Sequence, residues 1–115
     1  MATVTRELLS GSSNGRQILI TTTATPGDVI HTAHATLRDE IFIWVSNTTT
    51  SPVKLTIEWG GVTVPNDLLE QTIPPEAGDL LIIAGKVLTG SVICRAFAAT
   101  ANVLVASGYV NRITN

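Results

Sequence analysis

Two apolar runs a few residues apart, within positions 40–61, constrain this chain more than any other feature. In the second run Val53, Leu55, Ile57 and Trp59 alternate with Lys54, Thr56 and Glu58. A period of two is the pattern of a strand with one face buried and one in water. The first run, residues 41–45, is apolar at every position. That fits a strand covered on both faces, or on one face by its own domain and on the other by a partner chain. Residues 48–52, all Thr, Ser or Pro, do not favour helix. The two runs are therefore expected to pair as an antiparallel hairpin. Both tryptophans of the chain, Trp44 and Trp59, lie in this stretch.

The flanking sequence reads in the same way. Ile18 and Ile20 flank Leu19 in a strand expected over residues 16–23, with shorter strands over 28–35 and 68–73 and a buried one over 79–84. Gly85-Lys86 reads as a turn, and residues 91–99 and 103–113 as a final hairpin. Turn residues cluster at 24–27 and 74–78, where Pro fixes φ and Gly permits a positive one. Seventeen threonines and a β-branched apolar set favour strands over helices. The expected fold is all-β, an antiparallel, jelly-roll-like sandwich of about eight short strands.

At 115 residues the chain suits a single domain. Residues 1–15 read as an N-terminal arm and flexible joint, and residues 16–115 as the sandwich. The joint is Ser10-Gly11-Ser12-Ser13-Asn14-Gly15, and the arm carries Val4, Leu8 and Leu9. Such an arm either adds to a neighbour's sheet edge or covers the edge of its own sandwich.

Charged residues are 14% of the chain, against ~25% in a typical domain. A short chain has much surface for its volume and needs more polar residues, not fewer. Part of its surface is therefore expected to be apolar and covered by another molecule. A homo-oligomer follows, a trimer preferred and a dimer possible. The interface candidates are Val4, Leu8 and Leu9 in the arm, Phe42 and Trp44 in the doubly apolar run, and Tyr109 and Arg112 near the end of the last strand. A net charge of −2, with two Lys and five Arg and no basic run, argues against nucleic-acid binding. No stretch approaches the ~20 apolar residues of a membrane helix, and no membrane partner or secretory leader is expected.

No residues assemble a catalytic, metal or cofactor site, so an enzyme is not expected. His31 and His34 are three apart, which on a strand points them to opposite faces. Cys94 alternates with Val92 and Ala96 as a small core residue, and a lone cysteine excludes an internal disulfide. Asp39-Glu40 reads as a solvated strand start. Gly60-Gly61 lacks the helix and the Lys-Ser/Thr of a phosphate loop. Asn47-Thr48-Thr49 matches a glycosylation sequon. Trp59 falls with Val53, Leu55 and Ile57 on the core face rather than standing out as a sugar platform.

Three segments, Asp39-Glu40-Ile41-Phe42-Ile43-Trp44-Val45, Val53-Lys54-Leu55-Thr56-Ile57-Glu58-Trp59-Gly60-Gly61 and Gly108-Tyr109-Val110-Asn111-Arg112-Ile113, resemble small virion proteins of tailed bacteriophages. The role they are most similar to is that of the capsid decoration, or cement, protein. The resemblance implies a structural protein on the outer capsid surface, made in the host cytoplasm, with the major capsid protein as its partner and no cofactor. A tail or neck component, or a carbohydrate-binding sandwich module, is the alternative.

Overall fold

The computed structural model describes residues 2–114, and every element in them is a strand. In chain order these are β1 (Val4–Leu8), β2 (Ile18–Leu19), β3 (Asp28–Thr32), β4 (Arg38–Asn47), β5 (Val53–Trp59), β6 (Leu68–Ile73), β7 (Leu80–Leu88), β8 (Ile93–Ala98) and β9 (Leu104–Ile113). They form two antiparallel sheets. Sheet A runs β1-β9-β4-β7, with β2 following β1 along the same side of β9. Sheet B runs β3-β8-β5-β6. With β1 and β2 taken as one interrupted strand, the chain crosses between sheets at every connection except β5–β6, a hairpin within sheet B. This is jelly-roll connectivity.

The expected hairpin between the two central runs does not form. β4 lies in sheet A and β5 in sheet B, so residues 48–52 cross from one layer to the other. The corner is fixed by Asn47, whose Nδ2 donates to the carbonyls of Ser51 (2.8 Å) and Ile73 (3.0 Å) and whose Oδ1 accepts from the Thr49 amide (2.9 Å). Buried and fully engaged, Asn47 presents no acceptor for a glycan in the folded chain. The last two strands are separated likewise, β8 in sheet B and β9 in sheet A. Local pairing loses in both places because each strand buries one apolar face, and facing layers bury both at once.

β7 also differs from expectation. Gly85 and Lys86 do not turn; the strand continues through them, with two register shifts against β4. Gly85 takes φ 79°, the positive value that lets a strand absorb an extra residue as a bulge.

Alternation on β4 sorts its side chains. Ile41, Ile43 and Val45 are buried, and the register places Val110, Gly108 and Ala106 of β9 beside them. Leu55, Ile57 and Ile73 approach from sheet B, with Leu9, Ile20, Ile30, Ile83 and Leu104 completing the core. Trp59 packs against the rim of this core, with Lys86 Nζ 5.2 Å from its ring centre. Cys94 is fully buried, and burial pushes its thiol up to about 12.

Residues 4–8 pair along β9 of their own sheet, Val4 opposite Ile113 through Leu8 opposite Tyr109. The joint that follows is tied to β3. The Gly11 amide donates to the Ile30 carbonyl at 3.0 Å, and the Thr32 amide donates to Ser10 Oγ at 2.6 Å.

Candidate interaction face

The two sheets turn unlike faces outward. On sheet B the outward positions are mixed: Lys54, Thr56, Glu58, Glu70, Thr72 and Arg95, with Val29, Leu68 and Phe97 set singly among them. Lys54 and Glu70 form an ion pair at 3.1 Å. Glu58 is covered by the segment before β3, where it accepts from the Thr25 hydroxyl and from the Gly27 amide at 2.7 Å.

The outward face of sheet A is mostly apolar. Residues directly opposite in an antiparallel pair share a face, so the registers give its rows. One row is Arg6, Asn111, Glu40 and Val87, from β1, β9, β4 and β7. The next is Leu8, Tyr109, Phe42 and Ala84, and then come Ser107, Trp44 and Leu81. Val4, Ile113 and Arg38 bound the patch at one end, and Leu19, Val105 and Ser46 at the other. Of eight exposed large hydrophobic residues among those described, five (Val4, Leu8, Leu19, Leu81 and Val87, 44–59% exposed) are on this face. Such residues are normal when scattered and informative when gathered.

Its centre is aromatic. The Phe42 and Tyr109 rings stack with centroids 5.0 Å apart, and Trp44 lies 5.9 Å from Tyr109 and 6.4 Å from Phe42. The Arg6 guanidinium rests 4.4 Å above the Tyr109 ring, and its Nε donates to Asn111 Oδ1 at 3.4 Å. Asn111 Nδ2 in turn donates to Glu40 Oε1 at 3.2 Å. Opposite charges on the face are thus linked through one amide. The remaining exposed apolar residues include Val62 and Val64, in the loop between β5 and β6.

Of the seven residues singled out by sequence, Val4, Leu8, Phe42, Trp44 and Tyr109 converge on this face. Leu9 and Arg112 do not. Leu9 is 1% exposed in the core, because the chain turns inward after β1. Arg112 has the opposite parity to Tyr109 and faces Asp39 across the β4–β9 pairing.

Asp39 is no solvated strand start; it is fully buried. Its parity matches Ile41, Ile43 and Val45, so it points into the sandwich. Arg112 Nε and Nη2 donate to its two oxygens at 2.8 and 3.1 Å, His31 Nε2 lies at 2.7 Å, and the His34 amide donates at 3.1 Å. Burial opposes the charge, but the hydrogen bonds from Arg112, His31 and His34 outweigh it and lower the carboxyl from 3.8 to about 2. His31 is buried, and its Nδ1 accepts from the Ser10 amide at 3.0 Å. An amide can only donate, so Nδ1 carries no proton and the hydrogen sits on Nε2, aimed at Asp39. His34 Nδ1 accepts from the amides of Thr36 and Leu37 and closes the turn into β4. Both histidines therefore serve the fold. The trace this network left in the sequence was two charges, Asp39 and Arg112, at inward parity on otherwise apolar strands.

Among the described residues no group of three His, Cys, Asp or Glu could hold a metal ion. No family model, curated protein or solved structure matches this chain.

Proposed function

We propose that this chain is a structural virion protein that binds the outer surface of a phage capsid and stabilises contacts between major capsid subunits. The observation that carries the reading is the gathering of exposed apolar and aromatic residues on the outward face of sheet A, while the polar side chains buried in the sandwich are hydrogen-bonded. A chain built this way offers surfaces for protein to cover, as an assembly component does. The sequence resemblance to small phage virion proteins supplies the class of partner. On this reading both apolar surfaces are covered in the assembled particle: the outward face of sheet A, and the loop over residues 60–67, with Val62 and Val64 at 47% and 71% exposure, which is the one offered to the shell.

The test is co-sedimentation with empty shells assembled from the major capsid protein of the phage that carries its gene. The wild-type chain is expected to bind with a fixed stoichiometry and to raise the temperature at which the shells break. Val64→Glu is expected to weaken binding at least tenfold without altering the melting of the free protein. Absence of binding, with recovery on purified tails instead, would move the protein to a tail or neck position. The stacked Phe42, Trp44 and Tyr109 rings under Arg6 favour one further reading, a carbohydrate-binding module; glycan-array binding lost in Trp44→Ala would support it.

A further inference from the structure

We propose that the outward face of sheet A is a self-association surface, and that two copies of this chain pack through it about a two-fold axis parallel to the strands between β4 and β9. The inference rests on reading the chain as an assembly protein, and it adds the occupant of this face.

The rows decide the match. A two-fold axis in that position lays each row over the same row of the second copy in reverse order, β1 over β7 and β9 over β4. Leu8 then meets Ala84 and Trp44 meets Ser107, a large side chain against a small one in both pairs, and Leu81 falls over the break between Leu8 and Leu19, where β1 ends and β2 begins. Tyr109 meets Phe42, extending the aromatic stack across the contact. Asn111 meets Glu40, an amide donor against a carboxylate. Arg6 meets Val87, and Arg38 meets Ile113. No position brings like charges together. A surface that complements its own copy is what a closed, isologous contact requires.

Size agrees. β4 and β9 are ten residues each. β7 has nine residues, and β1 and β2 together have seven; at roughly 3.4 Å per residue and roughly 4.8 Å per strand, the face covers roughly 600 Å². Two copies would bury roughly 1,200 Å², at the lower end of the ~1,200–2,000 Å² of specific interfaces. The aromatic centre and the Arg6–Asn111–Glu40 row at its side follow the pattern of such contacts, anchors inside and polar groups around them. A face matched to itself closes at two copies, which favours the dimer over the trimer expected from sequence.

The test is sedimentation of the full chain from 1 to 200 µM, with three variants. Leu8→Lys and Leu81→Lys change half-exposed side chains and leave the core untouched; Lys54→Glu changes sheet B. The wild type is expected to be a dimer at tens of micromolar. Each of the first two variants should weaken it at least tenfold at unchanged circular dichroism, and Lys54→Glu should not. A wild-type monomer at 200 µM, a trimer, or a dimer indifferent to Leu8→Lys and Leu81→Lys would overturn the proposal. A monomeric wild type whose capsid binding is abolished by Leu81→Lys also overturns it, with the capsid subunit as occupant and the virion role intact. A dimer broken by these variants that binds no capsid upholds the inference and removes the virion role instead.

Discussion

Asp39 holds its charge inside the sandwich, against Arg112 and His31. Asp39 adjoins Glu40 in sequence, and a carboxylate pair reads as solvent-facing. Only the parity of the strand separates them: Asp39 turns in with Ile41, and Glu40 turns out with Phe42. Arg112 arrives from β9, at the far end of the sequence, and the ring of His31 reaches across from β3 in the opposite sheet, so no local pattern announces such a meeting. The consequence is a pH dependence with a definite sign. In the unfolded chain Asp39 titrates near 3.8, and in the fold near 2. The folded state binds this proton less tightly, so the stabilisation is complete above the unfolded value. It is lost as pH falls from about 4 through about 2. A shift of this size corresponds to about 2 kcal/mol. Urea midpoints are expected to drop between pH 5 and pH 2.5, and Asp39→Asn should flatten that slope while lowering stability at pH 7. An unchanged slope in Asp39→Asn would assign the acid sensitivity to other carboxylates.

Elements were easier to read than their partners. The alternation of Val53, Leu55, Ile57 and Trp59 located β5, and the all-apolar run located β4 and hinted that its outward side needs a cover. That these strands lie in opposite sheets was not readable, because a five-residue connection can close a hairpin or turn a corner. Gly108 is required by the pairing of β9 with β4: a Cβ there would collide with the Phe42 carbonyl. Gly108→Ala is expected to cost about 2–4 kcal/mol through strain and displaced pairing, seen as a lower denaturation midpoint. The first strand makes a second prediction. Deleting residues 2–9 removes β1 from β9 and Leu9 from the core. The loss of a core leucine alone costs ~2–5 kcal/mol, so melting should fall by at least about 8 °C. Melting unchanged by the deletion would show that β1 contributes little to its own sandwich.

For the whole molecule, Cys94 offers a direct readout of unfolding. Its thiol is buried and far from thiolate form at neutral pH, so alkylation at pH 8 should proceed only through opening of the sandwich. The labelling rate is expected to rise with urea in step with loss of the near-UV signal, and labelling far below the unfolding transition would reveal local opening at β8. The topology also bears on how the protein is made. β9 joins β1, β2 and β4, yet it leaves the ribosome after all of them; Val4 waits for Ile113. At ~5–20 residues per second that wait is on the order of 5–20 seconds, during which Val4 and Leu8 have no strand to lie against. Closure of sheet A is therefore a late, cooperative event in the life of each nascent chain. A cell making much of this protein at once holds many half-finished sandwiches with open edges, and weaker expression or chaperone capture is expected to raise its soluble yield.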